Sequence, residues 1–232
     1  MMISQSIHTT ESRRNTVSLA YSNAKKVLIL NLKGGVGKST VTAGLMSHLV
    51  RSGYNVELID FDKQKSSHDW AVSVGKCRSQ SYNPSLKSFS SIASTLKVKR
   101  DSDFVILDSP SNFTEDDMLR YTRFVDAIIV PMQPSPVDLH ASLPFIHKVI
   151  NSGVLSRCNI SLSFIINRCQ QQDNRVDTVA KLLGHFRNYP LLGRMSESEK
   201  YQEAFYYKSF VEETLDPQLW VGAEHWLCET DQ

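Results

Sequence analysis

Residues Lys33-Gly34-Gly35-Val36-Gly37-Lys38-Ser39-Thr40 form a glycine-rich turn between two segments of different periodicity. Before the turn, Val27–Asn31 (VLILN) is a short apolar run, the pattern of a strand buried on both faces. After it, Val41, Leu45, Leu49 and Val50 recur at helical spacing, and Gly53 is placed to stop the helix. Glycines let backbone N–H groups converge on an anion, and the start of a helix adds partial positive charge there. The turn therefore predicts a phosphate site built from Gly34, Gly35, Val36, Gly37, Lys38, Ser39 and Thr40. Lys38 is placed to reach β- and γ-phosphates, Ser39 to put its hydroxyl on Mg²⁺, and Thr40 to meet the α-phosphate region. The generic G-x-x-x-x-G-K-[ST] pattern fails only at its first position, which falls on Leu32, and a second lysine, Lys33, stands inside the loop.

The same alternation continues downstream. Val56–Asp60, Phe104–Asp108 (FVILD), Ala127–Val130 and Ile160–Ile166 read as further buried strands. Helical stretches are expected at Lys38–Ser52, near Glu115–Arg123, and over Val137–Asn151 and Asn174–Phe186. Strands alternating with helices predict an α/β fold: a P-loop NTPase with a mostly parallel sheet between two helical layers. The Ser-rich stretch Ser79–Ser94 carries a helical apolar stripe of Leu86, Phe89, Ile92 and Ala93, continued at Leu96. Residues 1–24 show little apolar periodicity, so a flexible extension over 1–25, with a short helix around Val17–Tyr21, is expected ahead of an ATPase domain over 26–232.

Composition narrows the function classes. Of 232 residues, 26 are Lys or Arg and 24 Asp or Glu, too even a balance to demand a nucleic-acid partner. The distribution is uneven, however. Trp70–Arg100 holds six bases and no acid; Ser209–Gln232 holds six acids and no base. No run approaches the ~18 apolar residues of a membrane span. Cys77, Cys158, Cys169 and Cys228 make no C-x-x-C pair, which suits a reducing cytoplasm and suggests no zinc site or disulfide framework.

Two further segments point at the loop's chemistry. Leu58-Ile59-Asp60-Phe61-Asp62-Lys63-Gln64 ends one strand, and strand carboxyl ends line the ligand crevice of open α/β sheets. Asp60 and Asp62 alternate onto one side. Phe104–Asp108 is an apolar strand ending in a carboxylate, the layout that holds Mg²⁺ in P-loop NTPases.

The loop Lys33-Gly34-Gly35-Val36-Gly37-Lys38-Ser39-Thr40 resembles that of the ParA/MinD family of deviant-Walker ATPases. The resemblance covers about residues 26–215. It implies that Lys33 crosses a dimer interface to the partner's nucleotide, where a cation stabilises transition-state charge as an arginine finger does. Asp60–Gln64 is similar to the family's D-x-D-P-Q motif, with Lys63 in place of proline. By that resemblance Asp62 orients or activates the attacking water, and Asp60 is a second candidate in the Mg²⁺ network. Ser67 and Asp69-Trp70-Ala71 resemble the continuation in small ParA proteins. Asp108-Ser109-Pro110 matches the family's D-[TS]-P-P, and Ser111 departs from it. Val130-Pro131-Met132-Gln133-Pro134-Ser135-Pro136-Val137-Asp138-Leu139 resembles the family's V-P-x-Q-P-S-x-x-D-L segment, with prolines that stiffen a loop at the nucleotide and dimer edge. The resemblance further implies that Asn167 reads the adenine edge, and that bases such as Arg194, Lys200 and Lys208, near Tyr201, contact DNA.

Taken whole, the resemblance implies a Mg²⁺-dependent ATPase that dimerises with ATP, binds duplex DNA nonspecifically and is stimulated by a ParB-like adaptor. Plasmid or chromosome partition is its first implication, in a cytoplasmic, nucleoid-associated protein. The second is a spatial regulator that positions a protein assembly, or a mobile-element accessory ATPase. A MinD-like membrane tether would need a basic amphipathic C-terminus, whereas Trp220–Leu227 contains no Lys or Arg, so no membrane partner is expected. An electron-donating relative would need cluster-ligating cysteines after the Asp108 strand, where none stands.

Overall fold

The computed structural model describes residues 15–83, 89–111 and 121–229. Nine strands are found among them: β1 (Thr16–Ser18), β2 (Lys25–Ile29), β3 (Val56–Asp60), β4 (Arg78–Ser81), β5 (Lys97–Lys99), β6 (Phe104–Asp108), β7 (Ala127–Met132), β8 (Ser161–Cys169) and β9 (Leu191–Ser196). The helices are α1 (Lys38–Arg51), α2 (Ser66–Val74), α3 (Phe89–Thr95), α4 (Pro136–Asn151), α5 (Val154–Arg157), α6 (Asn174–Leu183), α7 (Glu199–Tyr206) and α8 (Pro217–Glu229). Leu86 and the Phe89 side chain, with most of the helix expected over Glu115–Arg123, fall outside the described residues.

Seven strands form one parallel sheet in the order β4-β3-β6-β2-β7-β8-β9. Alternation sends successive side chains to opposite faces. Leu28, Val105, Leu107, Ile128 and Phe164 pack into one apolar layer, and Val27, Ile29, Phe104, Ile106 and Ile129 into the other. Each layer needs a helical cover, and this is why the apolar runs read as buried on both faces. The expected three-layer α/β architecture is the observed one.

The extension differs from expectation. The expected short helix is found only over Leu19–Tyr21, as one 3-10 turn, while Thr16–Ser18 is a strand, and β1 pairs antiparallel with β5 in a separate two-stranded ribbon. Leu19 is fully buried, so residues 15–25 are part of the domain. Ser79–Ser94 also divides. Its first residues become edge strand β4, and Ile92 and Ala93 bury from α3. The acidic C-terminal stretch holds α8, whose Leu219, Trp220, Ala223 and Leu227 are buried.

Helix α8 packs on α1 through one close approach. A Cβ on Gly44 would lie 2.3 Å from Trp220 Cζ2. Gly44→Ala is therefore expected to destabilise the fold by about 1–3 kcal/mol, the usual cost of overpacking a rigid core, read as a lowered thermal midpoint. An unchanged midpoint would show that the Trp220 ring yields.

Candidate nucleotide site

The loop leaves the carboxyl end of β2, with β6 on one side and β7 on the other. Gly35 and Gly37 have φ of +76° and +88°, which L side chains rarely adopt, so two glycines are demanded by the backbone itself. A Cβ on Gly37 would also lie 2.0 Å from Asn167 Nδ2. Helix α1 starts at Lys38 directly after this turn and aims its N-terminal N–H groups into the loop. Lys38 is only 7% exposed. Burial lowers its pKa, while Asp108 and Asp62 favour its charged form. A cation held this way is poised for the charge of a polyphosphate.

The parallel register places Asp60 and Asp108 side by side at the ends of β3 and β6. Their surroundings give them separate tasks. Asp108 Oδ2 accepts from Ser39 Oγ at 2.9 Å and from Ser67 Oγ. Its Oδ1 is buried without a partner among the described residues. Burial, reinforced by the Asp60 charge, pushes the Asp108 carboxyl up to about 7, against the pull of Ser67, Ser39 and Lys38. A buried acceptor oxygen with no donor, beside a hydroxyl ligand, fits Mg²⁺ or a water of its shell. Asp108 and Ser39 are thus the residues that suit the metal.

Asp60 is held by backbone donors. Its Oδ1 accepts from the Asp62 N–H at 2.8 Å and its Oδ2 from the His68 N–H at 3.0 Å. Each oxygen thus takes one N–H in turning the chain from β3 into α2. Burial raises its pKa and these backbone bonds oppose the shift. Asp60 braces the Asp62 loop through these bonds.

Asp62 Oδ1 accepts from Gln64 N–H at 2.9 Å, and Oδ2 from Ser111 N–H and Oγ–H at 2.8 and 2.9 Å. Burial works to raise its pKa, but these donors and Lys38 prevail and hold it below the ordinary aspartate range. Asp62 is therefore an ionised acceptor at neutral pH.

Lys33 differs from Lys38. Its N–H is fixed by Asn31 Oδ1 at 2.9 Å, and Asn31 Nδ2 is tied to Pro131 O at 2.8 Å. The Lys33 side chain is 40% exposed and pairs with Asp138 in the first turn of α4. The Pro-rich segment touches the loop again where Gln133 Nε2 donates to Gly35 O at 3.0 Å.

A cavity of about 210 Å³ opens beside the loop, lined by Thr40, Arg168, Ser196, Glu197 and Ser198 among others. Asn167 borders it but is 2% exposed. Its Nδ2 donates to Val36 O at 2.8 Å and its Oδ1 accepts from Arg168 N–H at 2.8 Å. Through these two bonds Asn167 braces the phosphate loop. Sequence reasoning assigns no role to Asn31 and misses the bond from Ser67 to Asp108. Asn31 carries no motif of its own, and the resemblance at Ser67 assigns that residue no partner.

Two bases expected to face DNA are tied to acids: Arg194 to Asp177 at 2.7 Å and Lys200 to Glu212 at 2.6 Å. Tyr201 is buried, with its hydroxyl on Asp216 at 2.8 Å.

Residues 27–209 match the family model described as the CobQ/CobB/MinD/ParA nucleotide binding domain. The chain is 29% identical over 154 residues to the maintenance of carboxysome distribution protein A of Halothiobacillus neapolitanus, covering 66% of this chain and 70% of that protein. It is 29% identical over 141 residues to the protein of the same name from Gloeobacter kilaueensis, covering 59% and 62%. Among solved structures, an ATP complex of a Cyanothece McdA variant superposes with a TM-score of 0.63 at 18% identity, over 90% of this chain and 96% of that one. The cell division protein MinD of Aquifex aeolicus gives 0.62 at 16% identity, over 88% and 97%.

Proposed function

Because the chain belongs to the CobQ/CobB/MinD/ParA nucleotide-binding family, we propose that it is a Mg²⁺-dependent ATPase that positions a protein assembly through an ATP-gated dimer. The observation that carries the ATPase reading is the convergence of Lys38, Ser39, Asp108 and Asp62 on one glycine-lined loop. The carboxysome-distribution relatives favour a protein cargo. Plasmid partition, the first implication of the sequence, has a likeness of shape alone behind it, in a Borrelia burgdorferi partition protein at 17% identity.

In this reading the loop N–H groups and Lys38 bind the triphosphate. Asp108 and Ser39 would hold the metal, and when bound it would supply neutralisation of phosphate charge. Asp62 accepts a proton from the attacking water, and Lys33 reaches the nucleotide of a second copy. ATP closes the dimer and hydrolysis opens it, with a cargo-borne adaptor as the trigger. DNA serves as the surface on which the cycle runs.

The DNA part has a direct test. Lys97 and Lys99 are exposed on ribbon strand β5, followed by exposed Arg100, and none of the three ion-pairs with an acid among the described residues. We expect ATP-dependent retention on random-sequence duplex that weakens steeply with salt. Replacing Lys97, Lys99 and Arg100 together by alanine should lower the slope of log affinity against log salt by about 1 for each phosphate that is no longer neutralised. Arg194→Ala with Lys200→Ala should leave it nearly unchanged. An absence of wild-type retention at low salt would remove DNA from the proposal. For the cargo, deletion of the gene should leave protein assemblies mis-spaced; plasmid loss with normal spacing would return the reading to partition.

A further inference from the structure

We propose that Ser111 is the positioning residue for the Asp62 carboxylate, so that turnover in this chain depends on a hydroxyl where the family motif carries proline. The inference rests on the assignment of Asp62 to the attacking water.

Ser111 stands three residues after Asp108, in the segment that leaves β6. Its backbone N–H and its hydroxyl both donate to Asp62 Oδ2, at 2.8 and 2.9 Å. A proline there could make neither bond, having no N–H and no hydroxyl. On its other side Ser111 borders the phosphate loop, because a Cβ built on Gly34 would meet Ser111 Cβ at 3.9 Å. The residue thus sits between the loop and the carboxylate proposed to act on water.

Lone-pair counting shows what the clasp does. An ionised carboxylate offers about four acceptor sites on two oxygens. Both sites of Oδ2 go to Ser111, and one site of Oδ1 goes to the Gln64 N–H. Among the described residues, one Oδ1 site is left for a water. Three donors from two separate segments allow the carboxylate plane little rotation, and a base must sit within hydrogen-bond reach of the proton it takes. The segment from Lys63 on lacks the stiffening proline of the family motif, so Asp62 has less restraint from its own loop. Ser111 supplies restraint from the opposite side.

The test is ATP turnover with Mg²⁺ in the full chain. Ser111→Ala should lower kcat about tenfold, a modest part of the 10²–10⁴ typical of a positioned base, with KM and nucleotide affinity within about twofold of wild type. Ser111→Thr keeps the hydroxyl and should restore kcat to within about twofold of wild type. In an Asp62→Ala background, Ser111→Ala should have no further effect, since two residues acting as one unit are not additive. Wild-type or faster turnover of Ser111→Ala would overturn the proposal, as would parallel losses in kcat and affinity or additive effects in the double variant. Should Asp62→Ala itself hydrolyse ATP normally, the assignment of Asp62 fails first. Should Asp62→Ala be inactive and Ser111→Ala normal, only the positioning role is lost.

Discussion

Lys33→Ala is expected to remain monomeric with ATP and Mg²⁺ and to lose partner-stimulated turnover by about 10³-fold or more, the scale of a transition-state cation supplied in trans. The two loop lysines explain why one residue carries such an effect. Lys38 is buried at the start of α1, with Asp108 and Asp62 favouring its charge, and in the proposed reading it serves its own subunit's nucleotide. Lys33 is held by its backbone, through Asn31, while its side chain stays 40% exposed. Its partner there, Asp138, makes a partly exposed ion pair of a kind worth about 0–1 kcal/mol. A triphosphate on a second subunit easily outcompetes that. Light scattering with chromatography, with and without ATP, gives the oligomeric state. A Lys33→Ala protein that dimerises and turns over like wild type would refute the in-trans role.

Asp62→Ala is expected to bind ATP normally and to hydrolyse it about 10²–10⁴-fold more slowly, so that ATP-bound dimer accumulates. Affinity is spared because the phosphate site is built from the loop and α1. Asp62 takes part only through its loop and its distant charge on Lys38. Rate should suffer because Asp62 retains, among the described residues, an unshared acceptor site on Oδ1. The sign of its titration follows from its donors. With its pKa held below the ordinary aspartate value of about 3.9, Asp62 stays ionised through the neutral range, and any acid limb due to it lies below that value. Single-turnover hydrolysis together with nucleotide retention on a filter separates the two quantities. Normal hydrolysis by Asp62→Ala would remove its catalytic assignment.

Much of the fold is legible in the sequence because its strands are buried on both faces. Val56–Asp60 and Phe104–Asp108 begin and end in the structure where their apolar runs do. Pieces with weak patterns are not legible. β4 reads Arg-Ser-Gln-Ser and β5 Lys-Val-Lys, and neither has an apolar run. They are strands because β3 offers β4 a parallel edge and β1 offers β5 an antiparallel one. The helix expected around Val17–Tyr21 gives way in part to β1 for the same reason: the pairing partner of Thr16–Ser18 lies far along the chain.

The site divides along the same line. Its phosphate-binding half needs only backbone N–H groups, two positive-φ glycines, a lysine and a hydroxyl, all within eight consecutive residues, so the sequence alone determined it. The tasks of the carboxylates were decided by tertiary structure. Asp60 and Asp108 both end apolar strands, yet each Asp60 oxygen takes a backbone donor while Asp108 Oδ1 has no partner among the described residues. Ser67 reaches Asp108 across 41 residues, and Ser111 reaches Asp62 across 49. Those pairings exist because parallel register brings the ends of β3 and β6 level with the loop, and a carboxylate's role is set by the donors left around it.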